Sequence, residues 1–172
     1  MLIAVDGYNF IKQSPELRKL EQVELQKARE GLIERLVQYK RIKGHSITVV
    51  FDGSQEGRPS GRRERSRGIE VIFSRHGEKA DDVLKRLATE KRDGILLVTS
   101  DREVAHFAEK KGAKVIPVSD FEKKMKMAQF TVLKGNEGED RYPDRSIAPE
   151  KKGPSHRLSK TQRKAMATAK KL

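Results

Sequence analysis

Aspartates recur where apolar runs end. Asp6 closes LIAVD, Asp52 closes SITVVFD, and Asp101 follows GILLVTS. Asp81 and Asp82, with Glu78 just before them, open the periodic segment 79–91. Carboxylates brought together repel one another unless a cation neutralises them or some stay protonated. Hard oxygen donors in an open, wet site suit Mg²⁺ or Mn²⁺. Such ions activate water and stabilise charge building up on a phosphate. Each acid taken alone also fits an ordinary role. Asp6-Gly7 and Asp52-Gly53 read as turns, while Asp81, Asp82 and Asp101 suit a helix N-terminus through its dipole. Adjacent Asp81 and Asp82 cannot point the same way on a helix, so one faces a site and the other solvent or a supporting position.

Other chemistries find less support. His45, His76, His106 and His156 are scattered, without metal-ligand spacing. There is no P-loop, no dinucleotide G-x-G-x-x-G after the first apolar run and no locally supported Ser/His/Asp set, so no nucleotide cofactor is expected. A phosphatase of the haloacid-dehalogenase type would carry D-x-D on its first strand, but position 8 is Tyr8. The chain has no cysteine, which excludes disulfides and thiolate metal sites and fits a reducing, cytoplasmic setting. No apolar run approaches the roughly 20 residues that span a bilayer, so no membrane partner is expected. The first apolar run lacks a basic stretch before it and reads as a strand, not a signal peptide.

The acids need elements to position them. Strands are expected at 2–6, 46–52, 69–74, 94–99 and 114–118, from β-branched and apolar runs. Helices are expected at 21–43, with Leu25, Ala28, Leu32, Leu36 and Tyr39 on one face and Gly44 as its stop, and at 79–91 and 101–111. Ser100 with Glu103 reads as a capping box for the last of these, and Ser119 with Glu122 as the start of one more short helix. Pro117 suggests an edge position for the fifth strand. Residues 53–68, GSQEGRPSGRRERSRG, have no periodicity and read as a long loop. Strands alternating with helices, several of them continuously apolar, give an α/β fold with a central parallel sheet between two helical layers. In such sheets ligands bind outside the carboxyl ends of the strands, and there all the acids above would gather.

The four stretches VDGYN, VVFDG, KADD and VTSDRE, in this order, resemble the YacP-like branch of the NYN domain family of PIN-like ribonucleases. The resemblance covers roughly residues 1–125. It implies a Rossmann-like, three-layer PIN/NYN fold that gathers acidic residues around Mg²⁺ or Mn²⁺ and cleaves RNA internally. By position, Asp6, Asp81 and Asp101 match the acidic core, Asn9 the polar residue that completes the first motif, and Asp52 and Asp82 accessory acids. RNA is the partner implied. A family member that acts on messenger RNA at the ribosome makes the ribosome a further candidate.

Charge fits that partner. The chain carries a net +13, a field that favours polyanions. From Arg145 onward nine basic residues face only Glu150, so this stretch holds +8 of the total. Residues 1–128 are therefore expected to form the folded domain and 129–172 a basic tail, with a candidate helix at 159–171 ordered on a partner. In the 53–68 loop, Arg58, Arg62, Arg63, Arg65 and Arg67 could grip phosphates and stack on bases; a solvated loop is the equal alternative. Tyr8 could stack on a base or pack beneath the sheet edge. The rival to an RNA-cleaving enzyme is a PIN-like module that binds RNA or ribosomes without cutting.

Overall fold

The structure, a computed structural model, describes residues 1–53 and 61–136. Among these described residues six strands form one sheet: β1 (Leu2–Asp6), β2 (Ser46–Phe51), β3 (Arg63–Ser66), β4 (Ile69–Phe73), β5 (Ile95–Val98) and β6 (Lys114–Ile116). Their order is β3-β4-β2-β1-β5-β6, and every pairing is parallel except β3 with β4. The continuously apolar strands are the interior ones, because helices cover both their faces. β6, which runs into Pro117, lies at an edge.

Strand alternation divides the core in two. Ile3, Val5, Ile47, Val49 and Phe51 face one layer, with Phe10, Leu17, Leu32, Leu36 and Phe121. These come from α1 (Gly7–Gln13), α2 (Pro15–Val23), α3 (Leu25–Lys43) and α6 (Val118–Asn136). Ala4, Val50, Ile72, Ile95 and Leu97 face the other, with Val83, Leu84, Leu87, Val104 and Ala108 of α4 (Ala80–Lys91) and α5 (Arg102–Lys110). The β-α-β connections thus place α4 and α5 together on one face and the remaining helices on the opposite one.

Several expectations are corrected. The helix expected over 21–43 is two: Glu24, with extended backbone at φ −162°, separates α2 from α3. α1 follows β1 without a linker, with Asp6 as its N-cap. α3 does end at Gly44, whose φ of 70° suits a residue without Cβ. The loop expected over 53–68 contains β3, which forms a hairpin with β4 through Arg67 and Gly68. Both turn residues have positive φ, 49° and 84°, the combination a two-residue type I′ turn requires. α5 is capped by Asp101, not by Ser100. The last helix is long, not short: its first turn closes on the Pro117 carbonyl, which accepts the Asp120 and Phe121 N–H groups. Glu122, expected to cap it, accepts the Ser14 hydroxyl and the Arg35 guanidinium instead. α6 runs past residue 128, and the helix expected at 159–171 lies outside the described residues, as do Arg58 and the basic positions from Arg145 onward.

Candidate active site at the carboxyl edge of the sheet

Four strands deliver acids to one place. Asp6, Asp52, Asp81 and Asp101 line a single open pocket of about 210 Å³ with Tyr8, Asn9, Lys12, Lys79 and Ala80. Asp6 ends β1, Asp52 follows β2, Asp81 sits in the first turn of α4 beyond β4, and Asp101 stands between β5 and α5. Val5 pairs with Val98 across β1 and β5, which brings the residues just beyond, Asp6 and Thr99, side by side. A larger groove of about 510 Å³, between α2, α3 and α6, has none of the four aspartates in its walls.

Asp6 is the most enclosed acid, 6% exposed. Its Oδ1 accepts the Asn9 N–H at 3.2 Å and its Oδ2 the Thr99 hydroxyl at 3.4 Å. Burial pushes its pKa up to about 6, and the charges of Asp81 and Asp101 push the same way, against the two hydrogen bonds. Burial also raises Asp81, joined by the charge of Asp101, while Lys85 and Lys79 oppose the shift. In both groups burial is the larger cause and the neighbouring carboxylates add to it.

Asp101 has two tasks. Its Oδ1 accepts the N–H groups of Glu103 and Val104, at 2.8 and 3.1 Å, and so caps α5. Its own N–H donates to Thr99 Oγ1 at 3.1 Å. Thr99, 1% exposed, therefore ties Asp6 to Asp101 through one hydroxyl. Asn9 performs a similar service through its amide oxygen, which accepts the Ser100 N–H at 3.2 Å and the Gln13 amide at 2.9 Å. It thereby fixes α1 against the turn after β5.

The remaining candidates separate. Asp82 is exposed and its carboxylate accepts the Lys79 N–H at 3.1 Å; it secures the start of α4 while its neighbour Asp81 lines the pocket. Glu78 is engaged by the Arg75 N–H and the Arg86 guanidinium, which hold its carboxyl below the usual range although burial opposes them. Tyr8 is 7% exposed, its ring 5.1 Å from that of Phe51 and its hydroxyl taking hydrogen bonds from Arg29. Tyr8 is thus packed beneath the sheet edge, with little of it exposed at the pocket wall. Among the arginines, Arg62 and Arg63 lie where β3 meets the end of β4, near the pocket's edge of the sheet. Arg65 runs away from it and Arg67 occupies the turn at the opposite edge. The pocket lysines Lys12 and Lys79 were not singled out by sequence, since an isolated lysine carries no spacing signal.

The donor set fits a divalent cation. All the carboxylate donors are hard oxygens, the pocket is open, and Asp6 and Asp81 are both held above the usual carboxylate range. Among the described residues no three acidic or histidine side chains are already gathered tightly enough to enclose an ion.

Comparison with known proteins bears on the family and the fold. The chain is 32% identical over 87 residues to YacP of Bacillus subtilis strain 168, described as uncharacterized; the alignment spans about half of each protein, 51% of both. The crystal structure of Rae1 (YacP) from Bacillus subtilis superposes with a TM-score of 0.64 at 25% identity, covering 80% of each chain. A point mutant of that protein superposes with a TM-score of 0.67 at 23% identity, covering 84% of this chain and 87% of the other. The model of the YacP-like NYN domain matches residues 3–171, so the likeness extends through the basic tail and beyond the 1–125 expected from the motifs. This chain belongs to the YacP-like NYN domain family, a PIN-like nuclease family whose members act in RNA chemistry with divalent metal ions.

Proposed function

We propose that this chain is an endoribonuclease that uses Mg²⁺ or Mn²⁺ to hydrolyse internal phosphodiester bonds of RNA. One observation carries the reading: four aspartates, from four separate strand ends, line one pocket in which Asp6 is pushed up to about 6 by burial and by its neighbours. An RNA-binding module gains nothing from such a cluster, which repels phosphate. Asp6, Asp81 and Asp101 would hold the ion, with Asp52 at the rim. When bound, the ion lowers the pKa of a water and neutralises charge that builds on the phosphate. Thr99 and Asn9 keep Asp6 aimed, and the helix cap keeps Asp101 aimed. Arg62 and Arg63 extend the contact surface for the RNA backbone beyond the pocket, in the manner of phosphate-positioning groups.

The test is a cleavage assay with labelled single-stranded RNA and Mn²⁺, Mg²⁺ or EDTA, run beside Asp81→Asn. Internal cleavage that needs the metal and disappears in the variant is expected. Cleavage that persists in EDTA or in the variant refutes the assignment. If free RNA is bound but left whole, the same assay on translating ribosomes decides between an enzyme that works only there and a module that only binds.

A further inference from the structure

The pocket contains two cations as well as four acids. Lys12 lies in the last turn of α1 and Lys79 stands just before α4. These helices pack on opposite faces of the sheet, so the lysines flank the carboxylates from the two sides of the sheet plane. Both side chains are exposed. Neither forms an ion pair among the described residues, although four carboxylates share their pocket. Their neighbours behave differently: Lys85 pairs with Glu103 and Arg86 with Glu78, both from α4. The Lys79 charge is felt at Asp81, but neither lysine ammonium is drawn into contact with an aspartate among the described residues. A lysine left unpaired beside them is available to an anion brought from outside.

A phosphodiester chain entering an acidic pocket is such an anion. Its reacting phosphate is held off by the carboxylates, so its neighbours need anchors outside the cluster. Lysine, a compact charge with three donors on a flexible stem, suits a contact that positions a phosphate without reading a base. We propose that Lys12 and Lys79 hold the phosphates on either side of the bond that is cut, so that the RNA backbone crosses the carboxyl edge from the α1 layer to the α4 layer. The inference rests on the nuclease reading for the word "cut" alone; the binding path stands independently.

Binding of a fluorescein-labelled single-stranded RNA oligonucleotide to the full chain, in Mg²⁺ and over a range of KCl, tests it. An Asp6→Asn background prevents turnover. Lys12→Ala and Lys79→Ala are each expected to flatten the slope of log affinity against log salt by about 0.7, and the double variant by about 1.4. Lys→Arg at either place is expected to keep the slope. Unchanged slopes, or tighter Mn²⁺ binding by the same lysine variants made in the parent chain with unchanged RNA binding, overturn the proposal, because they are what mere balancing of the aspartates would give. Flattened slopes in a protein whose parent chain cuts no RNA would refute the nuclease reading and leave the two anchors in place. Cleavage by the parent chain with unchanged slopes would do the reverse.

Discussion

Replacing Asp6 by asparagine should make the metal-free protein more stable at neutral pH. The carboxyl is raised from 3.8 to about 6 in the folded chain, so the folded state binds a proton more tightly than the unfolded one. Stability from this group is fully present below about pH 4 and is lost as pH rises through 6. The shift of roughly two pKa units corresponds to about 3 kcal/mol, at 1.36 kcal/mol per unit. Asparagine cannot ionise, and its amide oxygen can still accept the Asn9 N–H. In EDTA at pH 7.5, Asp6→Asn should therefore exceed the parent chain by about 2–3 kcal/mol, a rise of roughly 10 °C in melting temperature. At pH 4 the gap should shrink to below about 1 kcal/mol. Urea unfolding of both proteins from pH 4 to 8 measures it. A variant no more stable than the parent at pH 7.5, or a gap that does not close in acid, would refute the claim that burial and crowding strain this carboxylate. Saturating Mn²⁺ should then raise the melting temperature of the parent and not of the variant, since the ion removes the same penalty that the substitution removes.

Asp101→Asn and Asp101→Ala should separate the two tasks of that residue. Both should abolish cleavage, but asparagine is itself a good N-cap, so only the alanine variant should lose about 1 kcal/mol of stability by thermal melting. Thr99→Val should lower stability by about 1–3 kcal/mol, since it leaves the Asp101 N–H without its acceptor in a buried setting; Thr99→Ser should recover most of that in the same unfolding measurement. Gly7→Ala should be among the costly single changes, because a Cβ there would lie 2.3 Å from a ring carbon of Phe51; about 1–3 kcal/mol is expected, with reduced cleavage as α1 and Asn9 shift.

The sheet was legible because its interior strands are buried on both faces and so appear as unbroken apolar runs. β3 was not, because RERS is an edge strand of charged residues, and its pairing depends on the Arg67-Gly68 turn more than on hydrophobicity. α1 was hidden for a different reason. Its cap is Asp6 itself, so strand and helix share a residue and no linker marks the junction. The split between α2 and α3 depends on the backbone of Glu24, a residue that fits a helix equally well by composition. At the pocket, the alternation of strands and helices brought Asp6, Asp52, Asp81 and Asp101 to one edge as expected, but not Glu78 and Asp82, which were expected there too. It did not predict their division of labour. That Asp82 only secures a helix start, that Asp101 both caps a helix and lines the pocket, and that Asp81 only lines it, follows from contacts that only the folded chain forms. The lysines are invisible to pattern for the same reason.

The strand order also sets when the pocket comes into being during synthesis. β1 is made first but lies between β2 and β5, so the pocket stays incomplete, with Asp52 and Asp81 already made, until Ile95–Val98 and Asp101 have emerged. Parallel pairing of this kind is built from contacts distant along the chain, which form late. A nascent chain shorter than this has Asp6 but neither Thr99 nor Asp101, and fragments or truncated translation products should be inert. The pocket is thus a late product of the chain, complete only once the sheet has closed on both sides of β1.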